Sequence, residues 1–280
     1  MIIYGDPMNT DINGYLQEYI AGGFPKSSVR VREFIPSKVN PRDMVVQPYP
    51  HKIQEELLEL KQKTYHSKPK LFHQSLLFEE DEEFYNDFLS SFTDVKSTLL
   101  ETCLAMPCDL AICNKRDGEY IVDFIHLVFP NAWSANGFIG MTFQDFHSEV
   151  KLSNGKHVLP MNNKFPEHLA RSGKVYERIG SFSLRDKPKF VDHPDLTSNE
   201  VDVFNAENIF IRFERQVIVS VPEKDAFLFF IFSHMVDLRA ISDIFVDAME
   251  NCSPDSYSIF HFFDGDQDLK DHLKQYIMAA

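Results

Sequence analysis

The chain has 280 residues, with 28 Lys and Arg against 42 Asp and Glu, and a formal charge of −14 at pH 7. Without a basic cluster it lacks the phosphate-neutralising surface that nucleic acids and anionic membranes require, so neither is an expected partner. A hydrophobic fraction of 44% beside 25% charged residues belongs to a folded protein with a sizeable core.

The first fifty residues contain Pro25, Pro36, Pro41, Pro48 and Pro50 with Gly14, Gly22 and Gly23, and no long periodic stretch. They read as an extended N-terminal arm, 1–50, leading into a single domain over 51–280. The opening MIIYGDPMNTDING has neither the basic region nor the apolar run of a secretory signal. No stretch reaches the roughly 20 apolar residues of a membrane span. A cytoplasmic location is expected.

From 52 to 65, Ile53, Leu57, Leu58 and Leu60 recur at helical spacing until Pro69 stops the pattern. A longer helix is predicted over 81–104, where Phe84, Phe88, Leu89, Phe92, Val95, Leu99 and Leu100 follow an acidic first turn. The period then changes. The apolar runs 109–113 and 120–129 flank Asn114-Lys-Arg-Asp-Gly118, a turn signal that predicts a β-hairpin. A helix is predicted over 165–179. Residues 208–221 alternate, with Ile209, Ile211, Phe213, Val217 and Val219 on one face and Arg212, Glu214 and Gln216 on the other. Pro222 ends that strand, and Glu223-Lys-Asp225 turns into the Phe-rich run 226–232. Helical patterns over 238–249 and 268–278 close the chain. The expected fold is α+β, a central antiparallel sheet flanked by helices.

No Walker loop, G-x-G-x-x-G, H-E-x-x-H or G-x-S-x-G is present. Cys103, Cys108, Cys113 and Cys252 fit neither zinc knuckles nor a disulfide framework, and read as buried thiols. Phe (26) outnumbers Tyr (10) and Trp (1) together, giving an interior of rings without polar handles that suits a flat apolar ligand as well as ordinary packing. Of eleven histidines, two are candidate ligands: His126, among apolar neighbours in YIVDFIHLVF, and His147, after Phe143-Gln-Asp-Phe146. In Ile211-Arg-Phe-Glu-Arg-Gln216, Arg215 points toward the face of Phe213 and Val217, and needs a partner if it is buried.

The ordered set Leu127-Val-Phe-Pro-Asn-Ala-Trp133, Phe146-His147, Glu177-Arg-Ile-Gly-Ser-Phe-Ser-Leu184 and Ile211-Arg-Phe-Glu-Arg-Gln216, followed by Val221-Pro222 and Ala226-Phe-Leu-Phe, resembles the haem-dependent oxidative N-demethylase family over about residues 45–250. The resemblance implies a PAS-like fold around haem b, with His147 as axial iron ligand. Trp133, Phe146, His126 and Arg215 would lie around the cofactor, and Glu214 and Arg212 would serve catalysis. It further implies oxidation of a small amine by O2, with electrons from an external flavin and iron–sulfur reductase, since this chain has no cluster motif of its own. Ser148-Glu-Val150, Ser181-Phe-Ser183 and Phe232-Ser-His234 depart from the family pattern at positions that would shape the substrate pocket, so the substrate need not be dimethylamine. The rival reading is a haem-binding sensor or interaction protein without turnover; an oligomer is compatible with either.

Overall fold

The computed structural model describes residues 32–34, 51–93, 95, 97–131, 134–148, 164–191, 193–195, 201–242, 245–246 and 267–279; at 32–34, 51–53, 147–148 and 178–182 the backbone alone is described. Trp133 and most of the N-terminal arm lie outside these residues. The strands are β1 (Arg32–Phe34), β2 (His73–Ser75), β3 (Asp109–Arg116), β4 (Glu119–His126), β5 (Val175–Arg185), β6 (Phe210–Val221) and β7 (Ala226–Asp237). Among the described residues they form one antiparallel sheet in the order β1-β5-β6-β7-β3-β4-β2. The helices are α1 (His51–Ser67), α2 (Pro69–Phe72), α3 (Glu79–Ser90), α4 (Leu99–Leu104), α5 (Ala135–Phe138), α6 (Phe143–Ser148), α7 (Lys164–Arg171) and α8 (Gln267–Met278). The α+β class with a flanked antiparallel sheet is thus established, and the arrangement is compatible with a PAS-like scaffold.

The hairpin β6–β7 forms the centre, paired in register from Phe210–Asp237 to Val221–Ala226. Its twelve-residue strands are buried on both faces apart from β7's partly covered Phe229 and Asp237, which is why each carries large apolar side chains in both phases of the alternation. A 3-10 turn, Pro222–Lys224, closes it, and Asp225 adopts φ 48, a left-handed conformation that Asp tolerates better than most residues. The β3–β4 loop is Asp117-Gly118, with φ 50 and 89. Positive φ at both positions is what a two-residue type I′ hairpin turn demands.

Two expected helices are divided differently. The pattern over 81–104 is two helices, α3 and α4, because Thr98 starts a new one: its hydroxyl accepts from the Glu101 N–H while the Glu101 carboxylate takes the Thr98 N–H. The pattern over 165–179 ends at Arg171. Gly173, at φ 64, turns the chain, and from Val175 the period is two, with Val175 in one core and Tyr176 in the other. Residues 238–241 are a 3-10 turn and the described positions after it, 242 and 245–246, are α-helical, so the expected helix begins about one turn later than its pattern; 247–249 lie outside the described residues. Arg32–Phe34, expected in the arm, adds an edge strand to β5.

The sheet separates two apolar layers. One face packs against α1, α3, α4 and α8 through residues such as Leu57, Leu89, Leu99 and Leu273. The other carries α5, α6 and α7 through Ala135, Phe143, Leu169 and Ala170.

Candidate functional site

The α5–α7 face contains a wholly apolar pocket. Ala111 and Cys113 of β3, Val122 of β4, and Phe227, Phe229 and Ile231 of β7 form its floor, and Phe138 of α5 with Phe143 and Phe146 of α6 its roof. Ring contacts tie the two together: Phe143 stands perpendicular to Phe227 at 5.3 Å, and Phe138 meets Phe146 edge to face at 4.8 Å. Thr142 starts α6, accepting the Asp145 N–H at 3.0 Å and donating to the Asp145 carboxylate at 2.7 Å. The cavity between floor and roof is about 30 Å³, room for about one water.

One strand beyond Ile231, the same face becomes polar. Arg212, Glu214 and Gln216 follow one another along β6, all buried, and Gln216 Nε2 donates to Glu214 Oε2 at 2.8 Å. Gln216 is directly opposite Ile231, and Glu214 opposite Ser233. The Arg212 guanidinium donates to Pro130 O (2.7 Å), Phe129 O (2.6 Å) and Ser233 Oγ (2.9 Å). It therefore grips the backbone of the Phe-Pro segment.

Arg215 is on the opposite face. Its Nε donates to Glu177 Oε1 at 2.6 Å, both groups being buried, and its guanidinium lies 5.3 Å from the Phe232 ring centre. Glu177 is the partner that burial demanded; it stands in the Glu177-Arg-Ile-Gly motif, but cross-strand partners are invisible without a register. His234 stacks on Phe213 there, 4.9 Å apart at 13°. His126 belongs to the helix-covered side near α1, opposite His73 in register and 5.4 Å from the Tyr65 ring. Neither of its ring nitrogens has a hydrogen-bond partner among the described residues. Burial holds it well below the ordinary imidazole range, and Lys61 and His73 push the same way. The structure therefore brings Phe146 to the pocket, sets Arg212 and Glu214 one strand away, and keeps Arg215 and His126 apart from them; Trp133 and the His147 side chain lie outside the described residues.

Lys61 and Asp109 are among the buried charges that escaped the sequence reading. Lys61, on the amphipathic α1, donates to the carbonyls of Cys103 (2.8 Å), Met106 (3.0 Å) and Cys108, holding the end of α4 and the turn after it. Asp109 opens β3 and accepts the N–H groups of Val128 and Phe129, each at 2.8 Å. Its signal was a carboxylate directly before an apolar run.

A family model described as "haem-dependent oxidative N-demethylase, alpha subunit-like" matches residues 27–250. The chain belongs to that family. The match reaches back into the N-terminal segment, including the β1 edge strand. The cofactor in the family's name asks for an apolar slot with a nitrogen donor beside it. The pocket offers aromatic walls but no nitrogen donor among its described lining residues, and Glu214 lies one strand from its floor. At about 30 Å³ the slot itself is narrow, so a tetrapyrrole would have to part α5–α6 from the sheet. Among the described residues no three His, Cys, Asp or Glu side chains converge into a cage for a bare metal ion.

Proposed function

We propose that the protein is a haem-dependent oxidoreductase that removes an N-methyl group from a small amine in the cytoplasm, with electrons from a separate flavin and iron–sulfur reductase. The observation that carries this reading is the aromatic pocket between α6 and the sheet, with a buried carboxylate on the neighbouring strand, in a chain of this family. The balanced reaction consumes the methylamine, O2, two electrons and two protons, and yields the demethylated amine, formaldehyde and water. Haem b, when bound, supplies O2 activation.

The chain's own residues do the rest. In this reading His147 would hold the iron, and Phe146 and Trp133 would contribute to cofactor binding. Glu214 attracts the substrate ammonium and accepts its proton; Gln216 orients that carboxylate through the Nε2 hydrogen bond. Arg212 and Arg215, to which the resemblance gave a catalytic and a cofactor-binding role, already serve the Phe129 and Pro130 carbonyls and Glu177. In this reading they fix the walls of the site.

The test is visible spectroscopy after expression with ample haem, followed by O2 consumption and formaldehyde release with a reductase and a panel of small N-methylamines. A Soret band with amine-dependent formaldehyde is expected. A Soret band without turnover would leave a haem-binding sensor, and no band would defeat both. His147→Ala is expected to lose the haem or shift its spectrum; an unchanged spectrum would move the ligand elsewhere.

A further inference from the structure

We propose that β2 is an acid-released latch: this edge strand leaves β4 when His126, the imidazole it covers, takes up a proton. The device sits on the α1 side of the sheet, away from the aromatic pocket.

His73 and His126 stand directly opposite each other in the β2–β4 ladder, so their rings share one face of the sheet and lie 5.8 Å apart. His126 is fully buried. Among the described residues neither of its ring nitrogens, nor Nδ1 of His73, has a hydrogen-bond partner. A neutral imidazole carries one donor and one acceptor, whereas the protonated ring carries two donors and a full charge. The surroundings of His126 offer nothing to that second form. From α1, the buried Lys61 sets a positive charge near it, and the Tyr65 ring stands 5.4 Å away; from β2 comes His73. The carboxylates of the neighbouring elements are engaged elsewhere. Asp109, one residue before the Leu110 that pairs with His126, accepts the Val128 and Phe129 N–H groups. Glu82 of α3 accepts from Ser75 and acts on His73, and Asp123 is held by Arg116 and Asn114. A proton on His126 is therefore an uncompensated buried charge.

The strand over it can leave at small cost. β2 has three residues, all only partly buried, at the edge of the sheet. Its flanks are tied to β4 by the Leu127 N–H donating to Phe72 O at 2.8 Å and the Leu76 N–H to Asp123 O at 2.7 Å. Detaching this short piece puts both imidazoles in water, where each takes up a proton near 6.5. In the closed strand burial, with Lys61 and His73 acting the same way, holds His126 well below that range, and burial lowers His73 against the pull of Glu82. The open edge thus binds more protons than the closed one, and opening grows as pH falls below 6.5. Gln74 carries the movement further: its Nε2 donates to Asn136 Oδ1 of α5 at 2.6 Å, so release of β2 also unhooks α5 from this edge. Acid opens the molecule here before it unfolds it.

Hydrogen exchange of the full chain between pH 7 and 5 tests this, with each rate corrected for the pH dependence of exchange in unstructured peptides. The Leu76 and Leu127 amides report the latch, and the amides of β6 and β7 report opening of the whole sheet. Protection at Leu76 and Leu127 is expected to be lower than in the central hairpin at every pH. It should fall about tenfold per pH unit below 6.5 for each imidazole that charges, and so at least tenfold by pH 5. His126→Leu, or His126→Gln where leucine does not fold, should remove most of that fall and leave the part that His73 contributes. Adding His73→Gln should flatten the remainder. Three results would overturn the latch: protection at the two amides that does not change with pH, a fall as large in the His126 variants as in the unmodified chain, or protection equal to that of the hairpin throughout, which would mean that the edge opens only with the whole molecule.

Discussion

Burial makes the Arg215 guanidinium and the Glu177 carboxylate dependent on each other. Arg215→Ala strands the carboxylate among Val217, Phe230 and Phe232, and is expected to cost roughly 3–5 kcal/mol, a large part of a typical margin. Replacing both residues with leucine should restore most of that loss, and denaturant unfolding of the single and double variants checks it. A double variant as weak as the single one would show that the pair is worth more than apolar packing. Glu214→Gln, on the opposite face, should leave the unfolding midpoint nearly unchanged while lowering turnover; an unfolded Glu214→Gln would contradict its placement as a functional rather than structural group. Protons act at the same scale. Burial, then Arg215, drives His234 down to about 3, and His126 is also held well below its ordinary range. Both imidazoles stay neutral in the folded chain but take up a proton below about 6.5 once unfolded. The unfolded state then binds more protons, and stability falls as pH drops below 6.5. Asp109 has the opposite sign: burial raises its carboxyl to about 6 against the pull of Lys61, so acidification from 6 toward 3.8 returns stability. Acid loss should therefore set in near pH 6.5 and continue below 6, with Asp109 offsetting about one of the two protons that the imidazoles take up on unfolding. The His234 shift from 6.5 to about 3 is worth about 5 kcal/mol when fully expressed. His234→Phe, which keeps a ring on Phe213, should flatten the acid limb in urea unfolding followed against pH; an identical limb would count against His234.

At the scale of elements, alternation and turn chemistry were legible because the β3–β4 and β6–β7 hairpins are local. Asp117-Gly118 marked one turn, and Pro222 the end of a strand. Gly118→Ala adds a Cβ that meets nothing within 4 Å, so its expected cost, about 1 kcal/mol by chemical denaturation, comes from the positive φ alone. A larger loss would mean a contact that the geometry does not contain. Thr98→Ala should cost about the same through the lost capping box of α4. The helix boundaries were less legible. Phe88, Phe92, Val95 and Leu99 keep helical spacing across the break between α3 and α4, and only the Thr98–Glu101 reciprocity shows where a new helix begins. β5 was concealed in the same way, since Leu169 and Val175 both read as helical until Gly173 turns the chain. The site was half visible. The motif residues marked its vicinity, but which face each occupies, and what Asp109, Lys61 and Glu177 hold, depend on pairings between residues 38 to 47 positions apart for Lys61 and Glu177 and on a turn 19 to 20 positions beyond Asp109.

The whole molecule is organised by strand order. The formal charge is −14 at pH 7, and among the described residues no helix is long and apolar enough to cross a membrane. Amide exchange should be slowest in β6 and β7, which are flanked on both sides, and faster in the three-residue edge strands β1 and β2; fast exchange at the centre would mean that the sheet is not one cooperative unit. The same order bears on synthesis. Phe227-Leu-Phe-Phe-Ile-Phe232 has strong β-propensity, no charge and no proline, the profile of a segment that self-associates when left unpaired. Its hairpin is sixth and seventh in the chain but fourth from one edge of the sheet at its innermost strand, between β5 and β3, both of which have left the ribosome before it. The strands that will shield the stickiest sequence in the protein are therefore waiting when it emerges, and a nascent chain arrested before residue 210 would instead present β3 and β5 as two open edges with nothing between them.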